Sequence, residues 1–145
     1  MPGITVGIDG SAHSTRALEW AIKEAAVRHA PVTVITVHLV PASGWTGNPV
    51  ILPQDTTDLE KAEQAAEEMT LKATSQLGAA QPSSVTVRAV SGFPAQELIE
   101  ASRTADLLVV GSRGAGGFAR LLMGSVSSQI VHHAHCPVVV VPSES

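Results

Sequence analysis

Residues 107–125 read LLVVGSRGAGGFARLLMGS and combine three consecutive elements. The first four residues are apolar and are typical of a buried β-strand, predicted here over 107–110. A loop with five glycines follows over 111–124. A helix is then predicted over 125–133, with a serine at its start. A strand, a glycine-rich loop and a helix in this order are typical of an α/β protein.

Short β-branched runs alternate with longer helical stretches along the rest of the chain. This pattern predicts the order βαβαβαβαβ, a parallel sheet covered by helices on both faces. The predicted strands are 4–8, 32–40, 85–90, 107–110 and 138–141. The first two helices are predicted from Ser14, as N-cap, to a stop at Pro31, and over 57–77 with Gly78 as the stop; the third begins at Pro94. At 145 residues without an internal repeat, the chain is predicted to be a single domain over 1–145.

The composition excludes several classes of protein. Apolar residues make up 44% and charged residues 15% of the chain, which excludes a disordered segment. The net charge is −4 and the nine Lys and Arg residues are dispersed, so nucleic acid and membranes are not expected as partners. No signal peptide or membrane span is recognisable, and the lone Cys136 cannot form an internal disulfide. A cytoplasmic location is therefore expected.

The glycine-rich loop is the first candidate site. In an open α/β sheet, ligands bind beyond the carboxyl ends of the strands, where the loops after strands one and four meet. Glycines allow backbone N–H groups to approach phosphate oxygens, and a helix that starts at Ser125 offers further amides and a positive dipole end. The alternative is that the glycines form tight turns and Ser125 only caps its helix.

Two common nucleotide motifs are absent from the sequence. A P-loop requires a lysine after its last glycine, but the only lysines are Lys23, Lys61 and Lys72, all in predicted helices elsewhere. A dinucleotide fingerprint would place its glycines after strand one, where the chain has only Asp9-Gly10-Ser11. Neither a Walker site nor a Rossmann dehydrogenase is therefore expected.

The spacing Gly-x2-Gly-x9-Gly-Ser, met by Gly111, Gly114, Gly124 and Ser125, resembles the ATP-binding class of the universal stress protein family. The likeness covers the whole chain, because VGIDGS at 6–11 is similar to the family's first strand and turn, and CPVVVVP at 136–142 to its last strand. The resemblance implies an open five-stranded parallel sheet in the order 3-2-1-4-5, Rossmann-like and of the adenine nucleotide alpha hydrolase-like type. It also implies ATP, with Mg²⁺ as a possible companion, as the ligand.

The resemblance assigns roles to individual residues. Asp9 is implied near the ribose and, with Mg²⁺, near the phosphates, although an Asx-type turn is its simpler role. Gly7 and Leu39 match positions that approach the nucleotide, Leu39 through its backbone, and strand packing is the alternative for both. The remaining candidate nucleotide contacts are Gly111, Ser112, Arg113, Gly114, Gly116, Gly117, Arg120, Gly124, Ser125 and Val126. Of these, Arg113 and Arg120 are proposed for their charge alone and could equally be solvated.

The last predicted strand suggests a partner. Its four apolar residues form a strand at the edge of the sheet. The exposed backbone groups of such a strand can pair with a strand of another chain. The resemblance implies a homodimer in which these strands pair antiparallel across a two-fold axis, through Val138, Val139, Val140 and Val141. The alternative is that helices or loops cover this edge within one chain.

Three functions remain open at this point. The expected one is a regulatory ATP-binding dimer of a stress or dormancy response with little or no turnover, because no lysine, paired carboxylates or activated nucleophile stand out. An ATP-hydrolysing or adenylyl-transferring enzyme of related fold is the second, and a nucleotide-free interaction module the third.

Two weaker signals remain in the sequence. A metal site is not expected at His132, His133 and His135. Trp45 could either cover the nucleotide pocket or pack locally.

Overall fold

The computed structural model describes residues 3–9, 12–39, 54–78, 80–112 and 125–142. Five strands and four helices alternate within these ranges. The strands are β1 (Ile4–Ile8), β2 (Pro31–Leu39), β3 (Ser84–Gly92), β4 (Leu107–Gly111) and β5 (Val138–Val141). The helices are α1 (Ala12–Arg28), α2 (Gln54–Ser75), α3 (Pro94–Ala101) and α4 (Ser125–His133).

All five strands form one parallel sheet in the order β3-β2-β1-β4-β5. The predicted fold class and strand order are therefore confirmed. The chain runs outward from β1 to β3 on one side, then crosses back to β4 and β5 on the other. Because the direction of winding reverses between β1 and β4, these two strands form the switch point of the sheet.

Two separate cores cover the faces of the sheet. On one face, α1 and α2 pack against alternate residues of the strands, including Val6, Val34 and Val109. On the other face, α3 and α4 bury Leu98 and Ile130 against residues that point the opposite way. This arrangement follows from the period of two in a strand, which sends successive side chains to opposite faces.

Several predicted element boundaries differ from the structure. Ser14 was predicted to cap α1 but lies inside the first turn, where its buried hydroxyl accepts a hydrogen bond from the Asp9 amide at 3.5 Å. Helix α2 begins three residues before Thr57, the predicted start. Strand β3 is longer than predicted because it pairs with β2 over its full length, from Pro31↔Ser84 to Leu39↔Gly92.

The glycine after α2 and the edge position of β5 agree with the predictions. Gly78 has a φ of +71°, the left-handed conformation that a glycine at a helix end adopts readily. Strand β5 is an edge strand, as expected, and among the described residues it pairs only with β4. Strand β3 forms the opposite edge. Over the described ranges, no helix has the length and hydrophobicity needed to cross a membrane.

Candidate functional site at the carboxyl edge

The carboxyl ends of β1 and β4 lie side by side, because these strands pair directly from Ile4↔Leu107 to Val6↔Val109. Asp9 follows β1, and Gly111 is the last residue of β4. The loops after these two strands therefore leave the sheet at the same place. In open α/β sheets this crevice is the usual ligand site.

Hydrogen bonds fix the end of β4. The backbone N–H of Ser112 donates to the carbonyl oxygen of Val141 at 2.9 Å, and its own carbonyl accepts a hydrogen bond from Ser127 Oγ at 3.4 Å. The Ser112 side chain is buried. These contacts tie the start of the glycine-rich loop to β5 and α4, and they occupy the Ser112 amide within the protein.

Helix α4 starts at the same edge. Its first residue is Ser125, and Ser127 in its first turn reaches back to Ser112, directly after β4. Val126 is partly exposed there, at 37%. The first amides of a helix lack partners within the helix and carry its positive dipole end. An anion is therefore stabilised at this position.

Asp9 supplies a carboxylate at the end of β1, the strand next to β4. Its side chain is exposed, and its backbone N–H donates to Ser14 Oγ at 3.5 Å. Magnesium in nucleotide sites commonly takes one or two protein carboxylates and completes its shell with phosphate oxygens and water. Within the described ranges, no three His, Cys, Asp or Glu side chains cluster as a metal site.

Gly7 has a packing role in this structure. A Cβ built on it would lie 2.5 Å from Cδ1 of Leu98, so α3 sits closely against β1 at this point. Leu39 ends β2, the strand beside β1, and its backbone faces Gly92 of β3. Leu39 is therefore at the same edge of the sheet, one strand away from Asp9.

One edge of the sheet therefore carries five of the predicted features: Asp9, Leu39, Gly111, Ser112 and the start of α4. The other predicted nucleotide contacts lie outside the described residues and stay predictions: Arg113, Gly114, Gly116, Gly117, Arg120 and Gly124. Trp45 also lies outside them.

The structure brings three further residues to this edge that the sequence analysis did not select. The Arg16 guanidinium donates from Nη1 to the carbonyl of Pro142 at 3.0 Å, just beyond β5. Phe93 and Glu97 follow the end of β3, at the start of α3. The only available signal was position, because Phe93 comes directly after a predicted strand and turn.

One of the three histidines near the end of α4 has a contact within its own helix. His132 Nδ1 lies 2.8 Å from the carbonyl oxygen of Ser128, one turn earlier.

Burial raises the pKa of the Cys136 thiol. A hydrogen bond with the Leu108 backbone opposes this shift, and the Asp106 carboxylate adds to it. A raised thiol pKa disfavours the reactive thiolate. Cys136 packs against the core formed with α3 and α4.

Comparison with known sequences places the chain in a family. A sequence profile of the universal stress protein family matches residues 2–142. A universal stress protein of Mycobacterium tuberculosis is 37% identical over 144 residues, covering 98% of this chain and 48% of the relative. One from Mycolicibacterium smegmatis is 36% identical over 139 residues, covering 96% and 47%. The chain spans about half the length of the curated relatives it matches.

Solved structures agree with this fold. The universal stress protein UspA from Lactobacillus plantarum superposes with a TM-score of 0.77 at 22% identity, covering 97% of each chain. A universal stress protein in complex with cAMP gives 0.70 at 25% identity, covering 99% of this chain and 98% of that one. An Arabidopsis thaliana family protein with AMP bound gives 0.62 at 20%, covering 100% and 94%. The sheet is of the adenine nucleotide alpha hydrolase-like type, and the chain belongs to the universal stress protein family.

Proposed function

We propose that this chain binds an adenine nucleotide, with ATP as the expected ligand, at the carboxyl edge where β1 and β4 meet. The observation that carries the proposal is the placement of the α4 start directly beside the end of β4, joined by the Ser127 to Ser112 hydrogen bond of 3.4 Å. This puts the positive end of a helix at the switch point of the sheet. A phosphate chain is the anion that best fits a helix start preceded by a glycine-rich loop.

The similar structure that holds cAMP supports an adenine nucleotide as the class of ligand. In the sequence, Gly111, Gly114, Gly124 and Ser125 have the spacing of an ATP-binding loop. Asp9 offers a carboxylate for Mg²⁺ carried by the phosphates, since its side chain is exposed beside the same crevice. Mg²⁺ bound to ATP would offset the repulsion between the Asp9 carboxylate and the phosphates, which free ATP would not.

Binding without efficient turnover is the expected activity. Phosphoryl transfer requires a metal, a positioned nucleophile or water, and cationic groups on the transferred phosphate. Among the described residues at this edge, Asp9 is the candidate metal ligand and Arg16 is held by a carbonyl beyond β5. We therefore infer a nucleotide sensor whose occupancy alters a homodimer formed through β5, in a stress response.

Calorimetric titration with MgATP tests the proposal. Gly114→Ala and Ser125→Ala should each weaken binding about tenfold or more, because each removes a close approach or a donor at the phosphates. Ser128→Ala is the matched control, since it removes a hydroxyl one turn further along the same helix and should bind as the native chain does. Equal affinity in all four proteins would place the nucleotide elsewhere.

A further inference from the structure

The proposed phosphate site lies at one end of a longer edge. Beyond β1, the edge continues through Leu39 of β2 to Gly92 of β3, which are direct register partners. Neighbouring strands are about 4.8 Å apart, so the ends of β4 and β3 are separated by about 14 Å. In the other direction, the Arg16 guanidinium bonds to Pro142 just beyond β5. A nucleotide with its phosphates at α4 could extend along this edge toward β2 and β3, where the strand ends are described.

An exposed aromatic side chain lies at the β3 end of this edge. Phe93 follows Gly92 directly, in an extended conformation with φ −99° and ψ 126°, and is 49% exposed. Its carbonyl oxygen accepts the amide hydrogen of Glu97 at 3.0 Å, which anchors it to the first turn of α3. The other aromatic Phe or Trp side chain that the structure describes, Trp20, packs against the core. An exposed ring held on a rigid backbone is suited to stacking.

A carboxylate lies at the same end of β3. The Glu97 side chain folds against the end of β3, since a Cβ built on Gly92 would lie 3.1 Å from its Cγ and 3.1 Å from its Oε2. The side chain is half-buried. Across the described parts of the chain, it makes no hydrogen bond or ion pair. Among the described residues, the end of β3 therefore holds a carboxylate acceptor for which no protein donor is found.

We propose that Phe93 and Glu97 recognise the base, with Phe93 stacking on the adenine ring and Glu97 accepting a hydrogen bond from its 6-amino group. This inference rests on the nucleotide site proposed above. Adenine carries a donor at position 6, whereas hypoxanthine and guanine carry an oxygen acceptor there. A carboxylate opposite that position therefore selects adenine, because it would face another acceptor in the 6-oxo purines.

The first test separates stacking from phosphate binding. ATP, ITP and inorganic tripolyphosphate, each with Mg²⁺, are titrated into the native chain, Phe93→Ala and Phe93→Leu. Both variants should bind ATP about tenfold more weakly, since base stacking is lost in each, and tripolyphosphate unchanged. Phe93→Tyr keeps a ring and should keep the ATP affinity. Leu71→Ala, an exposed apolar truncation on α2, is the control and should bind ATP as the native chain does.

The second test addresses base selection. The native chain should prefer ATP to ITP about tenfold, which is the scale of one hydrogen bond to a charged group. Glu97→Gln keeps the shape of the side chain but can donate to a 6-oxo group. The ATP to ITP preference should therefore collapse in this variant, with tripolyphosphate binding unchanged.

The outcomes distinguish the two proposals. If the native chain binds neither ATP nor tripolyphosphate, the nucleotide site itself is wrong and the base-reading role is overturned with it. If the native chain binds ATP and Phe93→Ala binds it equally well, or Glu97→Gln keeps the full preference, the base-reading role alone is overturned. Circular dichroism melting of each variant confirms that it is folded before titration.

Discussion

Gly7 lies on the central strand β1, where α3 leaves no room for a side chain. Gly7→Ala should destabilise the fold by about 1–3 kcal/mol, because its Cβ would meet Cδ1 of Leu98 at 2.5 Å. The free energy of unfolding in urea measures this effect. Leu98→Ala alone should cost about 2–5 kcal/mol through the cavity that it leaves.

The double variant Gly7→Ala with Leu98→Ala serves as the control for that contact. It should be less destabilised than the sum of the two single changes, since the shorter side chain makes room for the new Cβ. Strict additivity would show that Gly7 is constrained by something other than α3.

The thiol of Cys136 should react slowly in the folded chain. Burial raises its pKa, so at a given pH less thiolate is present than in the unfolded chain, and the thiolate is the nucleophile. Because the folded state holds this proton more tightly, the same shift lowers stability as the pH rises above the unfolded-state pKa. Iodoacetamide labelling of this single cysteine, measured by mass spectrometry with and without urea at pH 8, checks the prediction. Faster labelling of the folded protein would contradict it.

Single residues show the limits of sequence reasoning. Asp9 and Gly111 could be placed at one edge because each follows a recognisable strand. Ser14 was wrongly predicted as a cap, since its hydroxyl turns back to the Asp9 amide, a contact that spacing does not reveal. Phe93 and Glu97 were passed over for the same reason: their proximity to Leu39 depends on the register of β2 against β3.

Helix α1 packs a row of buried side chains, Leu18 among them, against one face of the sheet. Leu18→Ala should destabilise the fold by about 2–5 kcal/mol, because Leu18 is fully buried against the sheet. Leu71→Ala on α2 is the matched control: that leucine is 70% exposed, and its removal should change stability by less than about 0.5 kcal/mol. Thermal and urea unfolding of the two variants measure the difference. Similar losses in both would mean that α2 packs more tightly than its exposure indicates.

The strands were predictable as elements because parallel strands covered on both faces are apolar almost throughout. The start of α2 was less predictable, since Pro53 and the residues after it carry no apolar periodicity that separates helix from loop. Residues 40–53 and most of the glycine-rich segment lie outside the described residues, so the contacts predicted for them stay predictions.

Within the described residues β5 is an edge strand, and we propose that it pairs with a second copy. The carbonyls of Pro137 and Val141, at odd positions, accept hydrogen bonds from Leu108 in β4 and from Ser112 just after it. Because backbone groups alternate sides along a strand, the N–H of Val140 points away from β4. Val140→Pro removes that outward donor while leaving the pairing to β4 intact. The variant should be a folded monomer by light scattering and circular dichroism.

Val140→Ala provides the control for the strand edge. It shortens the side chain but keeps the N–H, so it should remain dimeric at the concentrations where the proline variant is monomeric. A native chain that is itself monomeric, or a proline variant that still dimerises, would contradict pairing through β5.

At the scale of the whole molecule, the strand order of the sheet was predicted through the family resemblance and is confirmed. The position of the candidate site then follows from the topology, since the switch point falls between β1 and β4. The proposed base-binding end of the site did not follow, because it depends on the exposed Phe93 ring, which the register of β2 against β3 brings to the same edge.

The most direct test of the central claim is to purify the native chain without added nucleotide, denature it and identify the released small molecule by mass spectrometry, alongside a titration with MgATP. We expect an adenine nucleotide in the preparation, or uptake of one MgATP per chain by an empty protein, with binding about tenfold or more weaker in Gly114→Ala. An empty native protein that also takes up no ATP would contradict the account and favour a nucleotide-free interaction module.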